Sequence, residues 1–402
     1  MPGRPTEAVR PAPAQPGRAA FEAGLGFALD AFQVEALDAL DEGRSVLVAA
    51  PTGSGKTVVA EYAIATALSG GGKAFYTTPL KALSNQKYGD LVRRHGADQV
   101  GLLTGDNAIN GLAPVVVMTT EVLRNMIYAG SGSLEGLRFV VLDEVHYLQN
   151  AYRGPVWEEV IIHLAPSVRL VGLSATVSNA EELADWMATV RGRGADPDSG
   201  HGGGVAAVIE EHRPVELHNL YMVGDRAGER PLLLPAFVDG RPNPEAAALD
   251  SARARAGERG RQRRGRLMTP RRAEVVERLD DEEMLPCIFF IFSRAACNDA
   301  VLACLRQNVR LTSVEERQRI RAIAEAHVEN LSDADLRVLD YGTWLTGLEA
   351  GVAAHHAGMV PPFKEAVEQC FAEGLVKVCF ATETLSLGIN MPARSVVIEK
   401  LT

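Results

Sequence analysis

The chain has 402 residues, 47% apolar and 23% charged, with a net charge of −10. That balance is the ordinary one for a globular protein and leaves room for two or three packed domains. No apolar run approaches the ~18 residues of a membrane span, so no membrane partner is expected.

The N-terminus, MPGRPTEAVRPAPAQPGRAA, lacks the apolar region of a secretory signal, and its prolines would break a transit-peptide helix. Residues 1–20 therefore read as a disordered tail. The acidic net charge decides little about nucleic-acid partners, because it is uneven. Nine arginines and one glutamate between Arg253 and Arg272 give a local charge of +8 and leave −18 on the remainder. All five cysteines (Cys287, Cys297, Cys304, Cys370 and Cys379) lie in the last third, and none are spaced as CxxC. Buried free thiols in a reducing cytoplasm are expected, rather than zinc ligands or disulfides.

From residue 21 to 213 short β-branched runs alternate with helical patterns. The runs Ser45–Ala49, Ala74–Thr77, Val115–Met118, Phe139–Leu142 and Arg169–Leu173 predict strands buried on both faces of a parallel sheet. Val58–Leu68, Ser84–His95, Glu121–Tyr128 and Ala180–Thr189 predict the crossover helices, giving a doubly wound α/β domain. After the Gly-rich Arg191–Gly204, the stretch VAAVIEEHRPVELHNLYMVG reads as a strand leaving that domain. Residues 214–285 read as a linker, and within it Asp225–Arg272 reads as a surface insertion or disordered segment. The arginine run there suits either a phosphate-guiding patch or a solvated insertion. A second, partial α/β domain spans 286–402, with strands at Cys287–Phe292, Val352–His355, Val378–Ala381 and Ser395–Ile398. Helical stretches Ala295–Leu305 and Val314–Gly347 fall between the first two.

The strongest chemical signal is SVLVAAPTGSGKT, Ser45–Thr57. A strand runs into a small-residue loop ending Gly-Lys-Thr, and a helix pattern follows at once. Glycines let backbone N–H groups curl around phosphate, and the helix N-terminus adds its dipole. Pro51, Thr52, Gly53, Ser54 and Gly55 form this candidate nucleotide loop. Lys56 reaches the β/γ-phosphates and Thr57 holds Mg²⁺. Ala50 stands where the GxxxxGK[ST] template has glycine.

The second signal is FVVLDEVHYL, Phe139–Leu148, a strand ending in two acids that face the ligand crevice in this fold class. Asp143 is the candidate metal ligand and Glu144 the candidate base for the attacking water. The third, LVGLSATVS, places Ser174 and Thr176 where they would bond the acids or His146 and couple nucleotide state to the rest.

AxxGxGKT, DEVH and SAT, in this order and span, resemble superfamily 2 DExH-box helicases. The wording LKALSNQKY, LTGDNAIN and HHAGMVPPFKEAVEQCF is similar to the superkiller-type (Ski-like) branch with its HelY proteins. The resemblance implies two RecA-like P-loop domains, the second incomplete, with ATP and Mg²⁺ between them and His146 in the catalytic set. It implies that Gln33 contacts the adenine edge, that Phe27 either covers the base or staples the helix, and that Gly388 lies near the nucleotide. It implies nucleic-acid contacts at Thr78, Lys81, Asn85, Thr119, Thr120 and Arg124, and at Ser293, His356, Gly358 and Thr382. His355 and His356 are not expected to form a metal pair, because adjacent strand residues point to opposite faces.

The implied function is an ATP-dependent, 3′→5′ translocase on single-stranded RNA, monomeric and cytoplasmic, with RNA-degradation machinery as a partner. DNA is the alternative substrate. The family's Gln-x-x-Gly-Arg-Ala-Gly-Arg segment does not follow Ser395–Ile398. The matching expectation is a truncated enzyme that binds ATP and hydrolyses it poorly, or a nucleotide-dependent RNA-binding module.

Overall fold

Strand β1 (Ser45–Ala49) buries all five of its residues, and that burial explains the architecture around it. The computed structural model describes residues 16–105, 107–151, 153–176, 178–192, 204–225, 230–248, 267–382 and 391–399. The chain divides into two compact units, Met1–Glu216 and Leu217–Thr402.

In the first unit β1 joins β2 (Lys73–Thr78), β3 (Val100–Leu103), β4 (Ala108–Ile109), β5 (Val115–Thr119), β6 (Leu137–Leu142), β7 (Arg169–Ser174) and β8 (Val205–Ile209). Their order across the sheet is β4-β3-β5-β2-β6-β7-β1-β8. Every pairing is parallel except β3 with β4. Side chains alternate between two cores with the strand period of two. Val46, Val48, Val141 and Val171 face a core shared with Phe32, Ala60 and Leu91. Those three come from α2 (Ala31–Asp41), α3 (Thr57–Ser69) and α4 (Lys81–His95). Leu47, Val140, Leu142 and Leu170 face the other core, with Leu123, Val160 and Met187. These come from α5 (Thr120–Tyr128), α6 (Gly154–His163) and α7 (Ala180–Gly192). Each such aliphatic side chain contributes roughly 1.5–3 kcal/mol by leaving water. The α/β expectation holds.

Three local readings change. Helix α1 (Pro16–Ala23) starts inside the stretch read as a tail, because Phe21 is buried against Tyr62 at 5.2 Å. Arg18 also bridges Glu22 at 2.9 Å and Asp41 at 3.1 Å. Residues 1–15 lie outside the described residues. Val205–Ile209 does not leave the first unit. It pairs in parallel with β1 from Ser45↔Val205 to Ala49↔Ile209, burying Ala206 and Val208.

In the second unit, residues 214–285 are more than a linker. Leu220–Asp225 pairs antiparallel with Leu232–Pro235 and with Leu267–Met268. Helix Arg272–Asp281 then buries Ala273, Val275, Val276 and Leu279 beside Phe289 and Phe380. Arginines 253–266 lie outside the described residues. A four-stranded parallel sheet follows, ordered Val352–His355, Val378–Ala381, Cys287–Phe290, Ser395–Ile398. The long helical stretch from Val314 is three helices, Val314–Val328, Asp333–Val338 and Tyr341–Glu349. Ser332 caps the second by accepting from the Asp335 amide, and Asp340, at φ 51°, turns the chain into the third.

All five cysteines are buried and free. Burial pushes the thiols of Cys287, Cys297 and Cys304 up to about 11 and that of Cys370 up to about 12. No helix among the described residues is long and apolar enough to cross a membrane.

Gly172 lies at a close approach between β1 and the acid-bearing turn. A Cβ there would lie 2.9 Å from Leu47 Cδ1 and 3.3 Å from Val145 Cγ2. Gly172→Ala is expected to destabilise the chain by about 1–3 kcal/mol, read as a lower urea midpoint. An unchanged midpoint would contradict this account of the packing.

Candidate nucleotide site and nucleic-acid face

The order β6-β7-β1 sets three strand ends side by side. Ala49 lies opposite Ser174, and Leu142 opposite Gly172, so the loops after these strands emerge together at the carboxyl edge. The Ala50 amide donates to Ser174 O at 3.1 Å, and the Asp143 amide to Thr77 O at 3.0 Å. The phosphate loop, the SAT segment and the acid pair thus share one rim.

In the loop, Gly53 and Gly55 both have φ of +85°, a conformation other residues adopt only with strain. A Cβ on Gly53 would meet nothing within 4 Å. Ser54 N bonds Pro51 O at 3.2 Å, but the amides of Gly53, Gly55 and Lys56 find no main-chain acceptor among the described residues. Ser54 Oγ is buried without a partner among the described residues. Among the described residues, Lys56 Nζ reaches the Ala50 carbonyl, at 3.4 Å. Unpaired donors around an open, glycine-lined turn at the start of α3 are the donor set that phosphate oxygens take. Thr57 is the first residue of α3 and half-buried; its hydroxyl and the Asp143 carboxylate are oxygens of the kind that could hold Mg²⁺.

Gln33 takes up a position that the sequence does not reveal. It is 2% exposed, accepts from the Asp30 amide at 2.9 Å, and donates to the Gly55 carbonyl at 3.1 Å. It braces the phosphate loop. Phe27 is 57% exposed, so it does not staple the core.

Asp143 is buried, and both of its oxygens are held. Oδ2 accepts from the Tyr76 hydroxyl at 2.7 Å, and Oδ1 from the Glu144 amide at 3.0 Å. Burial and the adjacent negative charge push the Tyr76 phenol well above its ordinary value. Glu144 adopts the left-handed region at φ 55°, which costs roughly 1–3 kcal/mol for a residue with a side chain. Burial first, and then Asp143, raise its carboxyl, while Lys56 and Lys87 pull the other way. A carboxylate of raised basicity suits proton abstraction from water. His146 Nδ1 lies 3.3 Å from Glu144 Oε2 without the alignment of a hydrogen bond, and burial holds its ring below the usual histidine value. Together with Trp186 and Asn179 it lines a cavity of about 170 Å³.

The SAT hydroxyls do not make the bonds expected of them. Among the described residues Ser174 Oγ is fully buried without a partner, and Thr176 is exposed. The link from this segment to the phosphate loop runs through the Ser174 carbonyl instead.

Two of the expected strand-gripping hydroxyls turn inward. Thr78 Oγ1 bonds Leu80 O at 2.9 Å and Ser84 Oγ at 2.8 Å, and Thr120 Oγ1 donates to Thr78 O at 3.3 Å. Both residues are fully buried, so they join helices α4 and α5 to β2 rather than offer a hydroxyl to phosphate. Thr119 is 6% exposed. Lys81 and Asn85 are exposed at the start of α4, while Arg124 is half-buried, 3.7 Å from Glu159. Arg153, which sequence patterns do not single out, donates to the Pro79 carbonyl at 2.8 Å and braces the same turn.

In the second unit, His355 Nε2 meets Glu368 Oε1 at 2.7 Å and His356 Nε2 meets Asn298 Oδ1 at 3.2 Å. The two rings therefore address different helices, as alternation requires. His356 Nδ1 accepts from the Gly358 amide at 3.2 Å, so both ring nitrogens are engaged, and burial lowers the ring below the usual histidine value. Its own contact with a nucleic-acid strand is not available in this arrangement. Gly358 and Ser293 are exposed, and Ser293 Oγ caps the following helix by accepting from Ala296 N at 3.4 Å. The Thr382 amide donates to His355 O at 3.3 Å. Gly388 lies outside the described residues.

Residues 30–183 match the family described as DEAD/DEAH box helicase. The probable helicase HelY of Mycobacterium tuberculosis is 53% identical over 391 residues, which are 95% of this chain and 42% of that protein. The DExH-box ATP-dependent RNA helicase DExH15 (chloroplastic) of Arabidopsis thaliana is 39% identical over 93% of this chain and 34% of its own length. The exosome RNA helicase MTR4 of Homo sapiens is 37% identical over 95% and 35%. The chain therefore spans less than half the length of these relatives.

Gln33→Leu would leave the Asp30 amide and the Gly55 carbonyl without their partner. A loss of about 1–3 kcal/mol in unfolding free energy is expected, measured by denaturant titration without nucleotide. Full stability in the variant would return Gln33 to a base-reading role alone.

Proposed function

We propose that this chain, whose residues 30–183 match the DEAD/DEAH box helicase family, is the ATP-hydrolysing part of a helicase that moves along single-stranded RNA. The observation that carries the reading is the shared rim. Unpaired loop amides and the Lys56 ammonium after β1, and a Glu144 carboxylate of raised basicity after β6, stand one strand apart on the same edge of one sheet.

The residues divide the work by chemistry. The amides of Gly53, Gly55 and Lys56 and the Nζ of Lys56 hold the phosphates, and Ser54 Oγ gains the partner it lacks. Thr57 and Asp143 would hold Mg²⁺, which when bound there neutralises charge on the β- and γ-phosphates. Glu144 orients the attacking water and takes its proton. Lys81, Asn85 and Arg124 supply charge and amide groups at the first turns of α4 and α5, where strand phosphates would meet helix N-termini.

RNA is favoured over DNA because two of the relatives are named as RNA helicases. The name of the human relative also makes an RNA-degrading complex the partner of first choice. Movement in the 3′→5′ direction, a monomeric state and a cytoplasmic location complete the reading.

ATP turnover with and without single-stranded RNA tests it. Glu144→Gln is expected to lower RNA-stimulated kcat by about 10²–10⁴-fold while ATP still binds. Lys56→Ala is expected to weaken ATP binding itself. Turnover indifferent to both substitutions would defeat the assignment. Equal stimulation by single-stranded DNA would defeat the preference for RNA.

A further inference from the structure

The carboxyl end of β2 ties more of the first unit together than its sequence announces. Thr77 Oγ1 donates to Val141 O of β6 at 3.0 Å, and Thr78 binds Ser84 of α4. Tyr76, one step earlier, reaches the acid itself. It is 1% exposed, and its hydroxyl donates to Asp143 Oδ2 at 2.7 Å in a bond shielded from water. Lys87 of α4 lies over its ring, 5.8 Å from the centroid.

Packing alone does not call for that hydroxyl. The ring sits in an apolar cluster with Ala74, Val117 and Val141, a place a phenylalanine would fill as well. A tyrosine there buries a polar group whose cost is offset only by its bond to the carboxylate. That bond and the Glu144 amide hold the two oxygens of Asp143 from different directions, which fixes the rotation of the carboxylate about its terminal bond. Each oxygen keeps a further lone-pair direction for another partner.

We infer that Tyr76 is a positioning residue, whose hydroxyl holds the Asp143 carboxylate in the orientation in which it takes a divalent cation accompanying bound nucleotide. This rests on the ATPase reading above. Orientation of a metal-binding carboxylate by such a partner commonly sets metal affinity, and its loss costs roughly 10–100-fold.

The test is ADP binding to the full chain, followed with a fluorescent ADP at increasing Mg²⁺ and, separately, in EDTA. In Tyr76→Phe the Mg²⁺ concentration that gives half of the tightening should rise about 10–100-fold, with ADP affinity in EDTA unchanged. Asp143→Asn should show the same loss, and the double variant no further loss, because the two groups act as one. An unaltered Mg²⁺ response in Tyr76→Phe, or a loss of equal size in EDTA, would overturn the inference. So would losses that add in the double variant. If the phenylalanine variant does not fold, 3,5-difluorotyrosine at position 76 keeps the shape and strengthens the donor. An unchanged Mg²⁺ response would then overturn the inference, and a shifted one supports it. Failure of the underlying reading looks different, since wild type itself would then bind ADP no better than Lys56→Ala.

Discussion

The pairing of β7 with β1 on one side and β6 on the other is the constraint from which the site follows. Parallel strands share a direction, so their carboxyl ends share an edge, and register fixes how far each loop extends beyond it. Ala49 opposite Ser174 and Leu142 opposite Gly172 leave the phosphate loop and the acids only one strand apart. Gly172 allows this approach by carrying no side chain where Leu47 and Val145 close in. The helices are secondary to it. They cover both faces of a sheet whose strands β1 and β5 bury every residue, and in doing so they place their N-termini along the same edge.

Polar satisfaction differs sharply along that edge. At the end of β2 the hydroxyls of Tyr76, Thr77 and Thr78 are all paired. At the ends of β1 and β7, Ser54 Oγ and Ser174 Oγ are buried without partners among the described residues, and Glu144 after β6 holds a left-handed backbone. A folded chain leaves few buried polar groups unpaired, and it keeps such groups where a ligand completes them. The satisfied end is a brace, and the unsatisfied end has the character of a receptor under the proposed reading. The raised basicity of Glu144, caused by burial and then by Asp143, belongs to the same pattern.

How much of this could be read from the sequence depends on the kind of statement. Doubly buried strands need only a β-branched run, so β1, β5 and β6 are legible within a residue or two. The Gly-x-Gly-Lys-Thr turn is legible because its glycines answer a backbone demand. Strand β8 is obscured by the glycines before it and the polar run after it, and only its pairing with β1 assigns it to the first sheet. Helix Arg272–Asp281 is hidden by the arginine-rich run before it and by its own charged residues, although Ala273, Val276 and Leu279 keep helical spacing. Least legible is the direction of a side chain. Thr78 and Thr120 stand where strand-binding hydroxyls are expected, yet they point inward, and Gln33 braces a loop rather than standing open to solvent. Residue type gives the chemistry available, and packing decides which partner takes it.

Hydrogen–deuterium exchange with and without Mg²⁺ and a non-hydrolysable ATP analogue tests most directly that these strand ends form one nucleotide receptor. Amides of the phosphate loop and of the turn after β6 should become protected together, and the same amides in a Lys56→Ala chain should not respond. Protection of the loop without the acid-bearing turn, or no nucleotide-dependent change at either, would contradict the account.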